Sequence, residues 1–271
     1  MDKIVTPGTV VLVLAPHPDD AEYYAGGTLA RMAQEGARIL IAIATDGRRG
    51  SLHLDSPTLV SLRTEEARQA AKVLGAEPPI FLGYRDMELD QLEPGVLREY
   101  FIRLIRQHRP EVVVTEDATA IDEVHPDHRA VARAASEALN FSTLPLVHPE
   151  HLAEGLKTHF VKEKFFYGNS RDANKIVDVT ETLPVKLAAL AEHKTQMQFL
   201  VEEQLIQARL AGLPVESLMP GVDENPMLAM SWAMQTEAAQ EGSKIGVQYG
   251  EAFRYQRFQP FIETLLLSQQ E

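Results

Sequence analysis

Cysteine is absent from this chain of 271 residues. Disulfides, thiolate nucleophiles and Cys-type zinc sites are therefore excluded, and any metal must be held by His, Asp or Glu. The absence also fits a reducing compartment. Basic charge is scarce: 26 Lys and Arg against 39 Asp and Glu give a formal net charge of −13. That balance argues against a nucleic-acid binder, which presents a basic face. No apolar run approaches the ~20 residues that cross a bilayer, so no membrane span is expected. The N-terminus, MDKIVTPGTV, has no charged lead into an apolar segment of the secretory type. The expectation is a cytoplasmic protein. No linker rich in Ser, Gly or Pro divides the chain, and no internal repeat is visible. Residues 1–271 therefore read as a single domain.

What is present is an alternation of β-branched runs and amphipathic stretches. Val10–Leu14, Arg38–Ala44, Pro79–Leu82 and Glu111–Thr115 read as strands. Between and after them, Gly27–Gln34, Pro57–Leu74, Pro94–Gln107 and Pro126–Leu139 read as helices. The strands are apolar throughout, as when helices cover both faces of a sheet. The fold class is α/β: a Rossmann-like, mostly parallel sheet flanked by helices. Beyond residue 145 the rhythm changes. His159–Tyr167 and Lys175–Val179 read as further strands, Pro184–Leu210 as one long helix, Glu216–Pro226 as a loop and Met227–Gln240 as a helix. This is a C-terminal elaboration.

Two short clusters carry the chemistry. His17-Pro18-Asp19-Asp20 follows the first strand, and His125-Pro126-Asp127-His128 precedes the fourth helix. In an open α/β sheet, ligands bind outside the carboxyl ends of the strands, so both clusters belong on one rim. One HPDD alone is a weak signal, because His-Pro is often a turn and Asp after Pro often an N-cap. Two clusters, each with His and Asp, exceed what a turn needs. A catalytic zinc site takes three protein ligands and leaves a position for water. A carboxylate must then accept the water's proton and a donor must face the oxyanion. The inventory supplies all five groups. Spacing alone does not say which Asp plays which part.

The stretches PHPDDAEYYAGGTLARMAQEGARILIAIATDGRRGS, LRTEEARQAAKVLG, EVHPDHRAVARAA, KLAALAEHKTQ and YGEAFR resemble the PIG-L/LmbE-like family of zinc-dependent N-acetyl-sugar deacetylases. The resemblance covers most of the chain. It implies one Zn²⁺ per chain on His17, Asp20 and His128, with another divalent metal possible because a His₂Asp set accepts several. It implies Asp19 as general base and His125 as an aid to the oxyanion or the leaving amine. Asp127 is then a carboxylate partner that orients His125 or another imidazole. Arg63 matches an arginine that in some members contacts the sugar. The implied partner is a small N-acetylated sugar, with a homo-oligomer expected by analogy. Many members read HPDDE, whereas here Ala21 intervenes before Glu22. That argues against a direct role for Glu22 and for a buried hydrogen bond or a helix-dipole contact.

Several residues have plainer readings. Arg63 could instead pair with Glu66 on a helix surface. The glycines of Thr45–Gly50 could serve a ligand or only a turn. Asp86 could bond a sugar or cap a turn, and His193 and Gln196 could be structural or touch substrate. His148 and His151 read as a loop, Trp232 and Tyr249 as core or interface, and Met227, Met230 and Met234 as packing. Two rival functions are a zinc amidase acting on a non-sugar amide and a nucleotide-binding module without hydrolysis. The module rests on Gly26-Gly27 at a strand-to-helix turn and lacks a GxGxxG fingerprint.

Overall fold

The computed structural model describes residues 3–169, 171–258 and 260–268. Five parallel strands form most of the sheet: β1 Val10–Ala15, β2 Arg38–Thr45, β3 Ile80–Tyr84, β4 Val112–Glu116 and β5 Glu163–Tyr167. β6 Lys175–Asp178 and β7 Gly250–Arg257 complete the order β3-β2-β1-β4-β5-β7-β6. β7 runs antiparallel to both β5 and β6. The expected mostly parallel sheet is present, and the C-terminal part of the chain enters it directly. From its glycine onward the YGEAFR stretch forms the first part of strand β7, which periodicity did not single out.

Helices α1 Asp20–Gln34 and α2 Ser56–Leu74 lie on one face, α3 Val96–His108 and α4 Pro126–Phe141 on the other. Strand residues alternate between two cores. Val11, Val13 and Ala15 pack with α1 and α2, while Leu12 and Leu14 pack with α3 and α4. This double burial is why β1 carries no polar residue. After the short α5 Pro149–Ala153 come α6 Leu183–Glu192, α7 Lys194–Leu210, α8 Val215–Leu218, α9 Met227–Ser243 and α10 Pro260–Leu267. Met197, Val201, Met230 and Met234 join α7 and α9 in a third, smaller core, so the methionines are packing. No helix among the described residues is long and apolar enough to cross a membrane.

Several boundaries depart from the pattern reading. α1 starts at Asp20 and not at Gly27. Gly26 and Gly27 therefore sit mid-helix, which removes the support for a nucleotide-binding turn. They are small for packing reasons: a Cβ on Gly26 would lie 2.9 Å from Lys186 and one on Gly27 2.8 Å from Val179. At the same point Glu251 inserts its carboxylate. It accepts the backbone N–H of Gly27 at 3.0 Å and Thr28 at 2.7 Å, and Lys186 Nζ donates to it at 2.7 Å. The expected single helix over Pro184–Leu210 is two helices broken at His193, whose ψ of 56° is not helical. No Gly or Pro marks the break. Glu66 Oε1 accepts the N–H of Thr195 at 3.1 Å and Glu66 Oε2 its hydroxyl at 2.7 Å, which holds the second helix's first turn. Trp232 is not core: it stands 62% exposed on α9. His148 and His151 flank and enter α5, and fully buried His151 bonds Glu99 at 2.6 Å.

Asp117, one residue past β4, anchors the loop that leads to the second cluster. It accepts Arg254 at 2.7 and 2.9 Å and Thr119 N–H at 2.9 Å. Burial alone would raise its pKa, but the Arg254 and Thr119 bonds outweigh it and hold the carboxyl below its usual value. A folded-state pKa below the unfolded one contributes stability above the unfolded value and loses it as pH falls through the folded one. Arg254→Met should therefore flatten the acid limb of the stability profile below about pH 4, as read by urea melts across pH. An unchanged limb would remove Asp117 as its source. Gly27→Ala should destabilise by about 1–3 kcal/mol through overpacking, although helix propensity alone predicts a gain of about 1 kcal/mol. Chemical denaturation decides between the two signs.

Candidate metal centre

β1 and β4 are hydrogen-bonded neighbours, paired from Val11↔Val112 to Leu14↔Thr115. The chain leaves β1 for β2 on one side and returns by α3 to β4 on the other. This is the point where strand order reverses, and loops there part to leave a crevice. The HPDD loop leaves β1 and the HPDH loop follows β4, so both clusters open into the same crevice. Thr45 Oγ1 donates to Pro16 O and Thr115 Oγ1 to Leu14 O, each at 2.9 Å, tying the strand ends together.

Three side chains converge. His17 Nδ1 lies 3.2 Å from Asp20 Oδ2 and 3.2 Å from His128 Nε2, and His128 Nε2 lies 3.6 Å from Asp20 Oδ1. Ligands about 2.0–2.1 Å from a tetrahedral divalent ion stand about 3.4 Å apart. The donor set and its spacing fit one such ion. The outer nitrogens of both imidazoles face carboxylates, as is usual for metal-site histidines. His17 Nε2 is 3.2 Å from Asp127 Oδ2 and 3.3 Å from Asp86 Oδ1. His128 Nδ1 is 3.2 Å from Glu123 Oε2 and 3.4 Å from Glu116 Oε2. Asp127 thus partners His17, the other imidazole that the sequence left open. It is held there by the N–H groups of Met87 at 2.6 Å and Leu89 at 3.0 Å.

The electrostatics follow from that crowding. Burial opposes charge on both imidazoles, but the surrounding carboxylates outweigh it. His17 rises well above its usual pKa, and His128 is pushed up to about 10. Burial would likewise raise Asp20 and Asp86, but His128 and His17 hold Asp20 well below the usual range, and His17 brings Asp86 down to about 2. Burial raises Glu116 to about 7, only partly offset by His128. The same field that attracts protons attracts a cation.

Asp19 stands beside this set with a φ of 131°, a region that L residues rarely adopt and that costs about 1–3 kcal/mol. Arg63 compensates. Its Nη2 donates to Asp19 Oδ1 at 2.8 Å and to Pro18 O at 2.7 Å, and its Nη1 to Gly47 O at 3.0 Å. Arg63 is 2% exposed, so it is not part of a surface pair with Glu66. Gly47 has a φ of +63°, and a Cβ there would lie 2.4 Å from Arg63 Nη1. The glycine is needed for the guanidinium, not only for a turn. Burial raises the Asp19 carboxyl to about 6 against the pull of Arg63. His125 caps α4, and its Nδ1 accepts the N–H of Asp127 at 3.2 Å. That bond puts the ring proton of the neutral form on Nε2. Burial, together with His17 and His128, lowers the His125 pKa and favours the neutral form.

These groups line a cavity of about 640 Å³, walled on its far side by Gln196, Phe199 and Leu200 of α7. His193 is buried below it, 3.5 Å from Glu22, so both residues pair with each other inside the protein. Sequence reasoning missed Glu116 and Glu123 as partners of His128 and left Asp86 undecided. Glu116 did leave a signal: an acid ending an otherwise apolar strand, EVVVTE.

Comparison with known proteins places this geometry. Residues 12–139 match the family model PIG-L: GlcNAc-PI de-N-acetylase. The chain is 31% identical over 188 residues to diacetylchitobiose deacetylase of Thermococcus kodakarensis, covering 69% of each chain. It is 27% identical to 1D-myo-inositol 2-acetamido-2-deoxy-alpha-D-glucopyranoside deacetylase of Kineococcus radiotolerans, covering 79% of this chain and 76% of the relative. Among solved structures, N,N'-diacetylchitobiose deacetylase from Pyrococcus horikoshii superposes with a TM-score of 0.74 at 29% identity, covering 94% of this chain and 88% of that one. The two matched motifs, the shared fold and these relatives agree: the chain belongs to the PIG-L family.

Proposed function

We propose that this protein is a hydrolase that removes the acetyl group from an N-acetylated amino sugar or its conjugate, using one divalent metal, zinc, on His17, Asp20 and His128. The observation that carries the reading is the convergence of His17 Nδ1, Asp20 and His128 Nε2 within 3.2–3.6 Å, with Asp19 alongside. The deacetylase relatives support the same reaction class. On this reading the whole chain acts as one domain.

A divalent cation on these three residues supplies a water of lowered pKa and a Lewis acid for the amide carbonyl. The protein's own groups do the rest. Asp19, raised to about 6 and fixed by Arg63, accepts the proton of the attacking water and returns it to the departing amine. His125, with its proton on Nε2, donates to the developing oxyanion. Asp127 and Asp86 hold His17, while Glu123 and Glu116 hold His128. Arg63, an expected sugar contact, acts here through Asp19: it keeps the base at one angle and supports its strained backbone. The wall formed by α7 bounds the space for the sugar.

Asp19→Asn should retain metal yet lose about 10²–10⁴ in kcat, the scale of a general base. Acetate release from N-acetylglucosamine and its conjugates by metal-loaded protein reads this directly. Full activity in that variant would remove Asp19 as base, and no release by wild type from any N-acetyl sugar would favour the non-sugar amide. His128→Ala should lose tightly bound metal, and Asp127→Asn should weaken metal affinity about 10–100-fold. Elemental analysis after dialysis against a chelator checks both; normal zinc in His128→Ala would end that ligand assignment.

A further inference from the structure

Asp20, a metal ligand on the reading above, is the first residue of α1. Side chains three and four residues further along a helix stand on the same face, and here they are Tyr23 and Tyr24. Both rings line the metal cavity. Each is fixed from behind. Tyr23 packs against the small core of α7 and α9. Tyr24 packs against the sheet core, where it stacks on the buried ring of Tyr167 at 4.8 Å and 9°. The two tyrosines meet edge to face at 5.0 Å. The Tyr24 ring lies 6.4 Å from the His128 ring, also edge to face. On its other side, between Tyr167, α9 and β7, is a separate recess of about 170 Å³. Tyr23 and Tyr24 are the wall between that recess and the metal cavity.

We propose that Tyr24 sets the length of the acyl group: its ring is the stop that admits an acetyl methyl and turns away longer N-acyl chains. This rests on the deacetylase reading. The acetyl methyl is bonded to the carbon that water attacks, so the surface it meets is the one beside the ligand set. Most of the lining there is polar: Asp19, Arg63, Asp86 and His125. Phe199 and Leu200 belong to the far wall. Met87 is unbranched and 40% exposed, an adaptable surface and not a stop. The Tyr24 ring is the fixed apolar surface on the ligand's own helix. A longer chain requires the ring to give way, and Tyr23 and Tyr167 hold it on two sides. Forcing extra methylenes into a packed site is unfavourable, and one methylene too many in a fixed pocket costs about tenfold or more in kcat/KM. The recess behind the ring is not a site in the wild-type protein, since its Lys186 and Glu251 pair with each other at 2.7 Å. Truncating Tyr24 uncovers the face of Tyr167 and joins the two spaces.

The test gives N-acetyl-, N-propionyl- and N-butyrylglucosamine to metal-loaded wild type, Tyr24→Ala and Tyr24→Phe. In Tyr24→Ala the ratio of kcat/KM for butyryl over acetyl should rise roughly tenfold or more. In Tyr24→Phe, which keeps the ring and loses the hydroxyl, the ratio should stay at the wild-type value. Tyr24→Leu keeps an apolar side chain on the sheet core and should raise the ratio in the same direction, so the test stands if Tyr24→Ala does not fold. An unchanged ratio in the truncated variants, or an equal rise in Tyr24→Phe, would overturn the proposal. Calorimetry with acetohydroxamate and butyrohydroxamate separates it from the reading beneath, because these compounds take the metal by their head group and need no turnover. Wild type should favour the acetyl compound, and Tyr24→Ala should narrow that preference roughly tenfold. A narrowed preference without acid release from any N-acyl sugar would keep the stop and end the deacetylase. Acetate release with both ratios unmoved by Tyr24→Ala would end the stop alone. No release and no binding of either hydroxamate by wild type would end both.

Discussion

The hydrogen-bond register between β1 and β4 is the constraint on which the site depends. Val11 through Leu14 pair with Val112 through Thr115 without a slip, and this brings together loops that are remote in sequence. Side chains alternate along a strand, so a shift of one residue would turn the buried sets of β1 and β4 to opposite faces. The two cores, one on each side of the sheet, oppose such a shift with every apolar side chain in both strands. The register in turn sets His17 Nδ1 against His128 Nε2 at 3.2 Å. Precision at the rim is thus inherited from packing in the interior.

Around that contact the protein accumulates negative charge. Asp20, Asp86, Asp127, Glu116 and Glu123 lie against two imidazoles, and Asp19 stands next to them. Burying so many carboxylates without compensation is unfavourable. Part of the compensation is internal: Arg63 on Asp19, and backbone N–H groups on Asp127. A cation held by His17, Asp20 and His128, as proposed above, would offset the remainder and so link metal affinity to folding stability. The acidic balance of the whole chain leaves the rest of the surface little able to assist.

Much of this was legible in the sequence. The strands that form the parallel part were readable from their β-branched runs, and the two His/Asp clusters from their places after strands. What the sequence did not disclose was contact between distant residues. The split at His193 comes from α6 packing on α1 and α2 while α7 turns to pack with α9, with Glu66 capping the second helix; no local breaker records it. Glu116 and Asp86 become imidazole partners only once β3 and β4 share a rim. Arg63 looked like a surface helix residue because periodicity cannot show that Gly47 leaves room for its guanidinium.

The break at His193 also separates two tasks. α6 is part of the scaffold: Lys186 and Thr182 at its start are bound to Glu251 and Gly27 O. α7 is a wall, with Phe199 and Leu200 lining the cavity and Met197, Val201 and Leu205 resting on a small core shared with α9 and with Leu190 of α6. Because the backbone turns between them, residues on the wall can be exchanged without disturbing the sheet that carries the reaction centre. The arrangement is modular. A substitution at Phe199 on this wall therefore changes the space beside the His/Asp cluster without touching the strands that hold the cluster.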